Sequence, residues 1–406
     1  MKSMHADNLA INGGPKLRSE PMPYRKLFGE QELAMVTKVF EDAWERGVDF
    51  SFQGKFEEQY TRDFCDLQGG GFADAVSSGT GAIYVCLAAL NLPEGSDVVV
   101  SPVTNSGGVT PAVLQGHRIA IADAVPGDFN TGPDQFERAI TPNTRAAILT
   151  HSSGYPLDMA PIMEIARRRG IKVIEDCSQA HGALYKGTRV GRFGDMAIFS
   201  TGFSKNHATS GSGGIVYTLN EDLYWAARSH ADRGKPFRRP GADLRNAVDY
   251  HFAAMNFNSD ELSCAIGIST LSRLSQIIEQ RQAIAHKIDT ALEKHCKAVY
   301  PCERRSGDMP SIFFHSVRVN PELLSVDKLT FGKAIMAEGV TINYHYDEVV
   351  STWKWLKPYL ANGGETPNAL QFRDTSFNIL FNERYTDQDI NDVIACIKKV
   401  ESVYLK

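Results

Sequence analysis

Four side chains in the middle of the 406-residue chain are spaced for chemistry on a single bound molecule: Asp176, Gln179, Ser200 and Lys205. Asp176 and Ser200 each end a short apolar run that reads as a buried strand, and Lys205 lies in a polar turn before a strand over 213–216. In an open parallel sheet, ligands lie beyond the carboxyl ends of the strands, where these residues fall. A lysine amine condenses with a carbonyl to form a Schiff base and, once freed, moves protons between carbon centres. A carboxylate can keep a ring nitrogen protonated, a charge-assisted hydrogen bond contributing about 1.5–3 kcal/mol. Gln179 can reach the same ring. Glu175 is the other candidate acid, and period-2 alternation sends it and Asp176 to opposite faces.

A second group belongs at the far end of the same ligand. The turn Ser77-Ser78-Gly79-Thr80-Gly81 opens an apolar helix, and the first N–H groups of a helix have no internal partner while its dipole favours an anion. Gly79, Thr80 and Gly81 are therefore candidates for a phosphate, joined by the Ser200 hydroxyl. The turn is not GxGxxG, which disfavours a dinucleotide site. A plain N-capped helix is the bland alternative.

The elements that must position these groups alternate. Short strands are expected over 72–76, 97–100, 119–121, 146–150, 173–174, 196–199 and 213–216, with helices over 82–90, 133–140 and 160–169 between them. Such alternation implies right-handed crossovers and a mostly parallel sheet covered by helices. The chain divides into an extended arm (1–28), a large domain (29–265) and a segment (266–406) holding one long interdomain helix and a smaller C-terminal α/β domain. Separate helices are expected over 284–296, 326–338 and 386–404.

The run Glu175-Asp176-Cys177-Ser178-Gln179-Ala180-His181-Gly182, then Gly194-Asp195 through Phe199-Ser200 to Lys205 and the Gly213-Gly214 turn, resembles the StrS/DegT-like sugar aminotransferases. These are pyridoxal 5'-phosphate (PLP) enzymes of fold type I. The resemblance extends over nearly the whole chain and implies a seven-stranded large-domain sheet. It also implies that Lys205 is the catalytic Schiff-base lysine. PLP would be bound by Gly79, Thr80, Gly81, Asn105, Asp176, Gln179, Ser200, Lys205 and Asn256, the last reaching a neighbouring subunit's cofactor.

The implied reaction moves an amino group from an amino acid, glutamate or glutamine, to a keto sugar, often nucleotide-linked, for a surface glycan or secondary metabolite. A cytoplasmic homodimer with sites at the subunit interface is implied, without metal. Asn105 stands where relatives carry an aromatic residue, Asn258 replaces an arginine and Ser212 an acid. The turn after Lys205 is one residue longer than the shortest, so counting back from the glycines would put Asn206 at the lysine position. Relatives with histidine there dehydrate sugars, and His207 is near. A cyclitol ketone, a sugar phosphate or a free keto sugar acid are alternative acceptors. A non-enzymatic PLP- or sugar-binding module is the rival of another class. His151, His345 and the basic stretch 233–240 are further candidate substrate contacts, each with a structural alternative.

Composition bounds the rest. With 43% hydrophobic and 22% charged residues and a formal net charge of -5, nothing suggests a nucleic-acid partner. No apolar run approaches the ~20 residues of a membrane helix, and residues 1–14 lack the apolar centre of a secretory signal. The seven scattered cysteines form no CxxC and read as buried free thiols in a reducing compartment.

Overall fold

The computed structural model describes residues 6–406, so the start of the expected arm lies outside the described residues. In chain order the strands of the first half are β1 (Phe72–Val76), β2 (Asp97–Val100), β3 (Arg118–Ile121), β4 (Thr144–Thr150), β5 (Lys172–Asp176), β6 (Leu184–Tyr185), β7 (Thr188–Arg189), β8 (Met196–Ser200) and β9 (Gly214–Thr218). Seven of them form one sheet in the order β1-β9-β8-β5-β4-β2-β3. Only β9 runs against its neighbours, pairing antiparallel with both β1 and β8. This is the mostly parallel, helix-covered α/β sheet expected from the alternating pattern.

Side-chain alternation builds a core on each face of that sheet. Ala147, Leu149, Val173, Ala197 and Phe199 pack on one side with Tyr60 and Phe64 of the helix Lys55–Gln68. Ala146, Ile148, Ile174, Met196 and Ile198 pack on the other with Ile83 and Leu87 of the helix Gly79–Ala89. Burial on both faces explains why the strands read as continuous apolar runs.

The C-terminal part has its own antiparallel sheet of β10 (Val299–Pro301), β11 (His315–Val319), β12 (Ile342–Asn343) and β13 (Ser376–Ile379), in the order β10-β11-β13-β12. Helices Lys328–Ala337 and Asp387–Tyr404 cover it, the latter started by a capping box between Thr386 and Asp389. Leu9 of the arm is buried in this same core, more than 270 residues from the rest of it in sequence.

The single long interdomain helix is a correction. Two helices occur, Glu261–Ser272 and Leu274–His295, and the second absorbs the separate helix expected over 284–296. The break falls at Arg273, whose guanidinium reaches Glu32 Oε1 (2.7 Å) and the Leu27 carbonyl (3.1 Å) at the start of helix Glu30–Arg46. Just before it, Ser272 Oγ donates back to the Ser269 carbonyl (2.7 Å), a bond that bends helices.

Candidate active site

The turn between β8 and β9 carries Lys205. It closes on itself through Thr201 N–H to Gly213 O (2.8 Å), Thr209 N–H to Thr201 O (2.9 Å) and Lys205 N–H to Gly202 O (2.9 Å). The ammonium lies 4.6 Å from the centroid of the Phe313 ring. Burial pushes the amine below the usual lysine range, opposed by the Asp176 and Glu348 carboxylates.

Phe313 can stand there because Ser311 and Phe313 pair with Gly154 and Ser153 through N–H···O bonds of 3.0 and 2.9 Å. Gly154 has φ +90, and a Cβ on it would fall 1.9 Å from the Ser311 carbonyl oxygen. Only glycine admits so close an approach.

Lys205 opens onto a cavity of about 280 Å³ whose lining includes Gly79, Thr80, Asn105, Asp176, Gln179 and Ser200. Seven of the nine residues expected to hold cofactor thus meet in one place. Asp176, 4% exposed at the end of β5, accepts from Ser178 N–H (3.0 Å) and Thr150 Oγ (3.3 Å), leaving part of its acceptor capacity for the cavity. Gln179 Oε1 accepts from Ser153 N–H (2.6 Å), and its side-chain amide bonds the hydroxyl of partly buried Tyr346, whose pKa desolvation raises.

At the other end, Ser78 caps its helix by accepting from Gly81 N–H (3.0 Å). Gly81 therefore serves the cap and does not line the cavity, and the N–H groups of Gly79 and Thr80 remain at the open end. A Cβ on Gly79 would come 2.6 Å from Ser200 Cβ, so the helix start is pressed against the end of β8.

Asn256 is exposed and outside the cavity, its side chain accepting from Asn258 Nδ2 (2.7 Å). Asn105 lines the cavity but is tethered to Gly107 N–H (3.0 Å) and Glu348 Oε1 (3.4 Å). Ser178, Thr104, Thr150 and Gly107 also line it and were not singled out in the sequence. For Ser178 the signal was available, since it lies between Asp176 and Gln179 just beyond a buried strand.

Several rival candidates are spent on structure. Glu175 Oε1 accepts from Phe193 and Gly194 N–H (both 2.7 Å) and Oε2 from Gly191 N–H (2.8 Å), on the face opposite Asp176. His151 accepts at Nδ1 from Leu157 N–H (3.0 Å), so its Nε2 carries the proton facing Glu175 (3.2 Å). Although His151, Glu175 and Cys177 lie close enough together to hold an ion, these bonds occupy the histidine and the carboxylate.

Asn206 Nδ2 is held by Ser311 O (3.1 Å), Ser311 Oγ (3.0 Å) and Ile312 O (3.2 Å). His207 is buried between Tyr60 (2.6 Å) and Thr270 (3.0 Å), and burial pushes it down to about 3. Neither is on the cavity lining. In the basic stretch, Arg233 and Lys235 pair with buried Asp232 (2.7 and 2.6 Å), and Arg239 with Asp249 (3.2 Å). His345 pairs with Asp347 (3.1 Å) beside a separate surface depression. A larger cavity of about 450 Å³, bordered by Tyr155, Asp289 and Arg304, contains neither Lys205 nor Asp176.

Comparison with known proteins agrees with this geometry. Residues 28–398 match the family model described as the DegT/DnrJ/EryC1/StrS aminotransferase family. The spore coat polysaccharide biosynthesis protein SpsC of Bacillus subtilis is 26% identical over 388 residues, covering 94% of this chain and 98% of that protein. A GDP-perosamine synthase of Caulobacter vibrioides is 32% identical over 231 residues, 57% of this chain and 60% of the relative. The aminotransferase structure from Psychrobacter cryohalolentis superposes with a TM-score of 0.85 at 25% identity, covering 94% of this chain and 98% of that one.

Proposed function

The chain belongs to the DegT/DnrJ/EryC1/StrS aminotransferase family of PLP-dependent sugar aminotransferases, and on that premise we propose that it moves an amino group from glutamate or glutamine to a nucleotide-linked keto sugar. The observation that carries this reading is the meeting of Lys205, Asp176, Ser200 and the start of helix Gly79–Ala89 around one cavity. An amine, an acid and an anion-binding helix end match the aldehyde, ring nitrogen and phosphate of PLP. The names of the relatives, a spore coat polysaccharide protein and GDP-perosamine synthases, support a product destined for a glycan.

When bound, PLP supplies an electron sink for the carbanion formed at the amino-bearing carbon. Lys205 would hold the aldehyde through Nζ. Once free, Nζ would take the proton from the donor's amino-bearing carbon and deliver it to the carbon on the other side of the nitrogen, a role suited by an amine whose pKa burial lowers. Asp176, whose carboxylate Thr150 and Ser178 fix, would hold the proton on the ring nitrogen. Gly79, Thr80 and Ser200 would hold the phosphate, and Gln179 and Asn105, on the same cavity lining, would face the ring.

A cytoplasmic homodimer is part of the proposal. Leu33 (67% exposed) and Trp44 (74%) of the first long helix, and Phe203 (67%) beside Lys205, form apolar surface that a second copy would cover. Asn256, exposed here, would then serve the partner's site. Among the described residues no helix is long and apolar enough to cross a membrane, and the seven cysteines are free thiols.

The test supplies PLP, glutamate labelled with nitrogen-15 and a nucleotide-linked keto sugar, then weighs the sugar product. One labelled nitrogen in the product is expected. A product that has lost water and carries no nitrogen would establish the dehydratase instead.

A further inference from the structure

Arg25 lies in the extended arm, 180 residues from Lys205, yet its guanidinium donates to the Lys205 carbonyl through Nη1 and to the Asn206 carbonyl through Nη2 (2.9 Å). Among the described residues, no backbone N–H outside regular structure reaches these two oxygens. The third edge of the fork, Nε, pairs with Glu383 Oε1 (2.9 Å), and Glu383 Oε2 accepts from Arg281 (3.1 Å). Arg281 donates to the carbonyls of Ile312 and Phe313 (both 2.6 Å), and Phe313 is the ring under the Lys205 ammonium. Arg25 and Arg281 thus share one carboxylate, and together they hold the backbone of the lysine and that of its ring neighbour.

We propose that Arg25 is a positioning residue for the reaction, fixing the Lys205–Asn206 backbone so that Nζ is presented to the cavity, and that the arm is thereby a working part of the site. The proposal rests on Lys205 being the residue that anchors PLP. A planar fork that donates to two carbonyls and a carboxylate at once sets orientation as well as distance, which a lysine ammonium does not. The lysine turn requires this, because it runs through Gly202, Gly211 and Gly213 and carries exposed Phe203. The remainder of the arm is anchored independently of Arg25. Arg18 pairs with Asp389 (2.8 Å) and Asp392 (2.7 Å), and Asn382 Nδ2 donates to the Pro23 carbonyl (2.7 Å). Arg25 therefore sits at the end of a strap already fixed to the C-terminal core.

The test compares Arg25→Ala and Arg25→Lys with Arg18→Ala, which loosens the arm without touching the lysine turn. Two readouts are taken on the full chain: amide hydrogen exchange over 202–209 without cofactor, and the rate at which added PLP becomes fixed to Lys205 by borohydride, located by peptide mass. Both Arg25 variants are expected to exchange faster over 202–209 and to trap PLP at least about tenfold more slowly, since small misplacements of a reacting group cost up to about a hundredfold. Added methylguanidinium should restore part of the rate in Arg25→Ala. Arg18→Ala should match the unaltered protein on both readouts. Trapping and exchange in Arg25→Ala equal to those of Arg18→Ala would overturn the proposal for Arg25 alone. Failure of the unaltered protein to trap PLP on Lys205 would overturn the lysine assignment beneath it.

Discussion

Glu175 and Asp176 are consecutive in β5, yet their carboxylates serve opposite faces of the sheet: Glu175 is closed off by three backbone N–H groups and His151, while Asp176 opens on the cavity. Exchanging each for its amide should therefore have different consequences. Glu175→Gln should lower the urea midpoint, because it removes charge-assisted bonds in a buried site, at a cost of about 1.5–3 kcal/mol. Asp176→Asn should lower the midpoint less, since among the described residues its carboxylate accepts from only Ser178 N–H and Thr150 and faces the cavity, and should lower kcat for transamination about tenfold to a hundredfold, the kinetic equivalent of losing one such bond. Chemical denaturation and steady-state kinetics on both variants check this.

Ser200→Ala should weaken PLP binding about tenfold or more, since one hydrogen bond to a charged phosphate contributes about 1.5–3 kcal/mol. The rate of amino transfer at saturating PLP should change little, because the hydroxyl holds the phosphate and not the reacting carbon. Fluorescence titration with PLP supplies the dissociation constant.

Burial lowers the Lys205 pKa in the folded chain, so between that value and the ordinary lysine value of about 10.4 the unfolded chain binds the extra proton. Stability then rises with pH across that window, and the cost of burying the ammonium is full below it. Lys205→Met should therefore raise the stability of the cofactor-free protein at neutral pH. Its advantage should shrink as the pH climbs toward the ordinary lysine value. Melting temperatures of both proteins across alkaline pH measure the difference.

Gly154→Ala would place a methyl 1.9 Å from the Ser311 carbonyl at a backbone angle of +90. The strained conformation alone costs about 1–3 kcal/mol, and relieving the clash must move the segment that carries Phe313. Both a lower melting temperature and weaker PLP fixation at Lys205 are expected, the second because Phe313 lies against the ammonium.

The large sheet and the lysine, acid and hydroxyl at its strand ends were legible because buried parallel strands announce themselves as apolar runs, and the groups that follow them have nowhere else to point. The alternation of a strand put Asp176 and Glu175 on opposite faces, and the family resemblance chose Asp176 between them. Other features depend on partners far away in sequence. That a helix breaks at Arg273 to meet Glu32, and that Arg25 grips the lysine turn, are tertiary facts without a local signature. His207 looked chemically available from its place two residues after Lys205. Only its enclosure by Tyr60 and Thr270 shows a packing role.

The most direct test of the account is the visible absorbance of the protein with PLP, recorded before and after glutamate is added, for the native chain and for Lys205→Ala. The account predicts a band from PLP joined to lysine in the native protein, bleached by glutamate and missing from the variant. The same band, at full strength, in Lys205→Ala would contradict it.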